Sequence, residues 1–139
     1  MGLFRMRFQY TTNSPLQSEL DSLPRVPLTL ICHDKKLQVN GLLDSGATVN
    51  VLPYSIGVQL GEVWNDNKAV IRLAGSIGKS LAQPLPIIAH IADFQPVKLV
   101  FAWIRNDNSP LILGQMNFFM EFDVCFFRSK LEFEIKKHS

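Results

Sequence analysis

The stretch Leu42-Leu43-Asp44-Ser45-Gly46-Ala47 decides how this chain is read. Two apolar residues lead into a carboxylate, a hydroxyl, a glycine and an alanine. The apolar pair reads as the end of a buried strand. Gly46 permits a tight turn and lets backbone N–H groups come close to a side chain. A carboxylate on such a turn can be held by those N–H groups and by the Ser45 hydroxyl. That is a way to aim a reactive Asp.

Working outward, residues 37–43 form the strand that delivers Asp44. The polar turn His33-Asp34-Lys35-Lys36 joins it to a preceding strand over 28–32. Further back, Phe4, Met6, Phe8 and Tyr10 alternate with Arg5, Arg7 and Gln9, the period of a half-buried strand. Between them, 11–23 carries Asn, Ser, Pro and Asp and reads as a linker. On the other side, 49–53 continues as a strand and 54–60 as a short helical turn stopped near Gly61. Residues 69–73, 81–92 and 97–104 are strands. Pro84 and Pro86 restrict the second of these to an edge or a bulge. Residues 124–127 and 131–135 make a hairpin turning at Arg128-Ser129-Lys130. Many short strands at short spacing predict an all-β barrel or sandwich.

The totals fit one domain. A chain of 139 residues can bury its own core. The net charge is +2 and the basic residues are scattered, which argues against a nucleic-acid footprint. Cys32 and Cys125 lie in apolar runs and read as small buried hydrophobes, with no disulfide framework. No apolar run approaches a membrane span, and the N-terminus lacks the apolar block of a signal peptide. The expectation is a cytoplasmic protein without membrane or nucleic-acid partners.

Seven aspartates are present. Asp34, Asp66, Asp93 and Asp107 fall in polar turns, where Asp commonly bonds its own backbone. Asp21 lies in the linker and Asp123 starts a strand. Asp44 alone has the Ser-Gly context between apolar flanks. Ser45 is no acyl-transfer nucleophile, because Leu43 stands where a Gly-x-Ser-x-Gly elbow needs glycine. His33, His90 and His138 are isolated in sequence and show no metal-ligand spacing. The glycines form no phosphate loop.

Asp44-Ser45-Gly46-Ala47 resembles the catalytic turn of the retropepsin-like aspartic proteases. The order of the elements downstream of it is also similar. A glycine-bearing hairpin, Gly75-Ser76-Ile77-Gly78, precedes Leu111-Ile112-Leu113-Gly114, a short helix over 115–121 and a closing strand. The apolar run ending at Gly114 echoes the one ending at Gly46. The likeness spans roughly 24–136, and 111–127 looks most like bacterial members.

The resemblance implies a closed acid-protease barrel, all-β with one short helix over about 115–121. It divides the chain into an N-terminal strand and linker, 1–23, and a protease domain, 24–139. It implies an aspartic endopeptidase acting on peptide or protein substrates. One Asp44 per chain requires a homodimer, with two carboxylates sharing a site. No metal or cofactor is implied. Ser45, Gly46 and Ala47 support the catalytic turn, and Ser45 would bridge the two turns of the dimer. Gly75, Ser76, Ile77 and Gly78 would be the flap over substrate. Leu113 and Gly114 would pack beside the catalytic turn. Two departures stand out. Thr48 and Gln115 occupy places where retroviral enzymes carry an Asp and an Arg, so that ionic contact is absent. The alternative is a non-catalytic peptide-binding or dimerisation module on the same fold. A plain β-sandwich scaffold, with the motif a coincidence, is a third reading.

Overall fold

The computed structural model describes residues 4–12, 22–73 and 81–137. The all-β expectation holds. The strands are β1 (Arg5–Gln9), β2 (Arg25–Cys32), β3 (Lys35–Leu43), β4 (Asn50–Leu52), β5 (Ile71–Arg72), β6 (Leu81–His90), β7 (Val97–Trp103), β8 (Ile112–Leu113), β9 (Phe122–Phe127) and β10 (Glu132–Lys137). Two short helices, α1 (Tyr54–Gln59) and α2 (Phe118–Glu121), join them.

Strands β2-β3-β8-β4-β7-β6 follow one another in hydrogen-bonded order, and β6 pairs back onto β2. The sheet therefore closes into a six-stranded barrel, with β5 attached to β6. Closure leaves the ring without a continuous open edge. The insertion of β8 between β3 and β4 sets up the site. Leu42 and Leu43 pair in parallel with Ile112 and Leu113, while Val51 pairs antiparallel with Ile112. The chain leaves β3, turns at Asp44 and returns as β4, and the later strand threads the gap.

Alternation along β6 explains how it tolerates two prolines. Ala82, Leu85, Ile87 and Ala89 are buried, while Pro84 and Pro86 face outward. Residues 83–87 pair only with β7, because β5 reaches Leu81 and Ala82, and β2 reaches Ile88 to His90. The prolines thus occupy a local gap in the second ladder, where no partner needs their missing N–H.

One core fills the barrel, including Val26, Leu30, Leu52, Ile87, Leu99, Phe101 and Trp103. It continues into a second sheet, β1-β10-β9, through Phe133 and Ile135. Met6 and Phe8 of β1, with Tyr10 just after it, pack on that core, and Phe8 stacks on Phe133 at 5.2 Å. Burying a large apolar side chain is worth about 1.5–3 kcal/mol. The first strand is therefore held by packing as well as by its ladder to β10. On its polar face, Arg7 bonds Glu132 and Glu134 across the strands.

Several expectations are corrected. The helix expected over 115–121 begins only at Phe118. Gln115 and Met116 stay outside the helix because their N–H groups donate to the carbonyls of Ala47 and Thr48, and Met116 makes a parallel bridge to Val49. The strand over 69–73 shrinks to Ile71–Arg72, behind a 3-10 turn at Asp66–Lys68. Neither cysteine is fully buried: Cys32 is half-buried and Cys125 exposed on β9, and both are free thiols. Among the described residues, no helix is long and apolar enough to cross a membrane.

Candidate active site

Asp44 follows the last residue of β3 and is half-buried. Its backbone is fixed on both sides. Its N–H donates to the carbonyl of Leu113 at 3.0 Å, and its carbonyl accepts from Ala47 N–H at 3.1 Å. The second bond closes a β-turn over residues 44–47. Inside that turn Gly46 N–H donates to Asp44 Oδ1 at 3.0 Å. The carboxylate is thus held by its own backbone two residues on. Gly46 does not have a left-handed φ. What favours glycine is proximity, since a Cβ there would lie 3.3 Å from Asp44 Oδ1.

The segment around Gly114 stitches the two limbs of this turn together. Leu42 N–H donates to Leu111, and Asp44 N–H to Leu113. Two residues later the bonding switches limb: Gln115 N–H donates to Ala47 at 2.9 Å and Met116 N–H to Thr48 at 2.8 Å. Gly114 sits at the crossover. A Cβ there would lie 2.9 Å from the Ala47 carbonyl oxygen and closer still to that of Val49. Backbone against backbone leaves no room for a side chain. Leu113 is fully buried beneath the turn.

Asn50 is fully buried, and reasoning from sequence did not single it out. Its Oδ1 accepts from Gly114 N–H at 2.8 Å. Its Nδ2 donates to the Val100 carbonyl at 3.1 Å and to Asn117 Oδ1 at 3.2 Å. Asn117 Oδ1 also accepts from Val100 N–H, and its Nδ2 donates to the Lys98 carbonyl. Two carboxamides therefore lock β4, β7 and the Gly114 segment behind the turn. The only available signal was a polar Asn set inside an apolar run.

Gln115 stands where the retroviral pattern has an arginine. Its Nε2 donates to the Ser45 carbonyl at 2.6 Å, so a neutral amide braces the turn. Ser45 and Thr48 are exposed, and Ala47 is half-buried. None of the ion pairs among the described residues involves Asp44. Gly75, Ser76, Ile77 and Gly78, expected as a flap, lie outside the described residues. A concavity lined by Phe8, Leu28, Gln38 and His90 does not include Asp44. Elsewhere, burial first and then the hydrogen bond to Glu62 push the Cys32 thiol up from its ordinary value.

No family model matches the sequence, and no curated protein does. Among solved structures, a retropepsin-like aspartic protease from Rickettsia conorii is similar in fold, with a TM-score of 0.66 at 14% identity. The match covers 98% of this chain and 94% of that one. At this identity the likeness establishes the fold, a closed barrel of the retropepsin-like kind.

Proposed function

We propose that the protein is an aspartic endopeptidase whose active site is completed by two copies of Asp44, one from each chain of a homodimer. The observation that carries this reading is the held carboxylate. Asp44 lies at a strand end, with an amide on Oδ1 and a glycine strand threaded behind it, in a barrel similar to that of a known aspartic protease.

A single carboxylate cannot be both acid and base in peptide hydrolysis. The other described acidic residues are placed elsewhere. Asp107 caps Ser55 N–H, Asp66 bonds Trp64 and Arg105, and Glu62 meets His33. Glu132 and Glu134 meet Arg7, Glu121 meets Lys137, and Asp123 pairs with Lys136. Asp34 and Asp93 lie in remote turns. A second copy of the chain supplies what this one lacks, and symmetric dimers are the commonest oligomers.

Two carboxylates about 3 Å apart do not both ionise readily, since at an effective dielectric of ~20 their repulsion is about 5 kcal/mol. The pair holds one proton. The ionised member takes a proton from a bound water, which attacks the scissile carbonyl. The protonated member donates to that carbonyl oxygen as charge develops on it. Neither step calls for a metal. The test is digestion of a mixed peptide pool at acidic and neutral pH by wild-type and Asp44→Asn protein. Cleavage by the wild type alone supports the reading, and no cleavage at either pH overturns it.

A further inference from the structure

At the end of the barrel remote from Asp44, three residues of different ligand chemistry converge. Cys32 ends β2, His33 begins the turn into β3, and Glu62 follows α1. Their ligand atoms all lie within 4.8 Å of one another. His33 Nε2 is 2.9 Å from Glu62 Oε1, and Cys32 Sγ is 3.5 Å from the same oxygen. Histidine spacing in the sequence gave no hint of this, because the carboxylate comes from a separate segment.

Backbone geometry fixes both segments. His33 has φ +55°, a conformation few side chains adopt, and it opens the β2–β3 hairpin turn. Helix α1 ends in a left-handed glycine, Gly61 at φ +89°. Gly61 N–H donates to Val58 and Glu62 N–H to Gly57, the paired bonds of a Schellman cap. That cap aims Glu62 back at the hairpin. Glu62 is only 20% exposed while His33 is 62% exposed, so the cluster is backed by protein and open to solvent on one side.

We propose that Cys32, His33 and Glu62 bind one zinc ion, with a fourth position open to water. A thiolate with an imidazole selects zinc over the hard cations magnesium and calcium. Tetrahedral zinc would separate sulfur from oxygen by about 3.6 Å and nitrogen from oxygen by about 3.4 Å, from the usual bond lengths. The first is met and the second needs an opening of about half an ångström. The Cys32 thiol donates to the same Glu62 oxygen that His33 Nε2 meets, so the three groups already face one point. On binding, the Cys32 proton passes to solvent and the thiolate, imidazole and carboxylate take the metal. The ion would pin the β2–β3 hairpin to the end of α1. It would stand about 27 Å along β3 from Asp44, taking no part in chemistry there.

The test reads no proteolysis, so it stands or falls apart from the Asp44 assignment. Metal-free, full-length protein is titrated with Zn2+ by calorimetry and with Co2+ by absorption. One ion per chain, a thiolate-to-cobalt charge-transfer band and a Tm raised by zinc are expected. Cys32→Ser, His33→Asn and Glu62→Gln should each weaken binding at least about tenfold, no less than losing an outer-sphere partner does. Asn is chosen because it accepts a left-handed φ, and Glu62→Gln keeps shape should Cys32→Ser fold poorly. Cys125→Ser should bind as the wild type. No saturable binding, a cobalt complex without the thiolate band, or full affinity in Glu62→Gln would overturn the site.

Discussion

The side-chain amide of Gln115 donates to the carbonyl of Ser45 at 2.6 Å, across the mouth of the turn that carries Asp44. This neutral bond joins the Gly114 segment to the tip of the turn. A typical bond of this kind contributes about 0.5–1.5 kcal/mol net. Gln115→Ala should therefore lower Tm only slightly while loosening the turn. We expect turnover to fall by up to about tenfold, or ~1.4 kcal/mol in the barrier. Gln115→Glu should be worse, because it sets an acceptor against the Ser45 carbonyl. Steady-state peptide cleavage beside thermal melts checks both, and unchanged turnover in Gln115→Glu would show the brace to be idle.

Asn50 should matter more for stability than any exposed residue of the site. Asn50→Leu leaves Gly114 N–H and the Val100 carbonyl without their carboxamide partner, at about 1–3 kcal/mol each. A loss of about 2–6 kcal/mol is expected in urea unfolding. Asn50→Asp keeps the acceptor for Gly114 but buries a carboxyl, whose charged form is disfavoured. The folded state then prefers the protonated acid. The deficit of Asp against Asn should be small below about pH 4 and grow as pH rises. A deficit that shrinks with rising pH would contradict the buried placement.

Asp44→Asn should leave Tm near that of the wild type and abolish cleavage, since the shape is kept and the acid–base pair lost. Asp34→Asn, in the hairpin turn at the other end of β3, should retain activity. Turnover of the wild type should be bell-shaped in pH, because one carboxyl must be ionised and one protonated. The two limbs belong to the pair as a unit. A rate rising steadily to about pH 9 would point to a different base.

Activity should depend on assembly. Specific activity is expected to fall on dilution, with sedimentation showing dimer giving way to monomer. Excess Asp44→Asn chain should poison the wild type by forming mixed dimers with one carboxylate. Constant activity per chain from a monomer would sink the shared-site mechanism. The sequence offers the terminal strands, around Phe4–Tyr10 and Leu131–Ile135, as the candidate interface, but the second of these lies in β10, whose two edges are both paired. Within one chain β10 already lies between β1 and β9, so β1 and β9 offer the open edges of that sheet.

The sequence by itself determined the local order. Period-two alternation set β1 and β10, the turns at His33–Asp34 and Arg128–Lys130 fell where polar residues cluster, and Asp44-Ser45-Gly46 marked the turn between two apolar strands. These are signals carried by neighbours a few residues apart, and local sterics and burial enforce them. Tertiary structure decided the rest. Gln115 and Met116 were read as helix because nothing local opposed it, yet backbone bonds to Ala47 and Thr48 kept them out of it. Asn50 looked like one more strand residue until Gly114, 64 residues away, claimed its carbonyl oxygen. Cys32 and His33 met Glu62 only when α1 was capped against the hairpin. In each case the deciding partner is distant in sequence, and a buried polar group must take whatever partner the closed barrel brings to it.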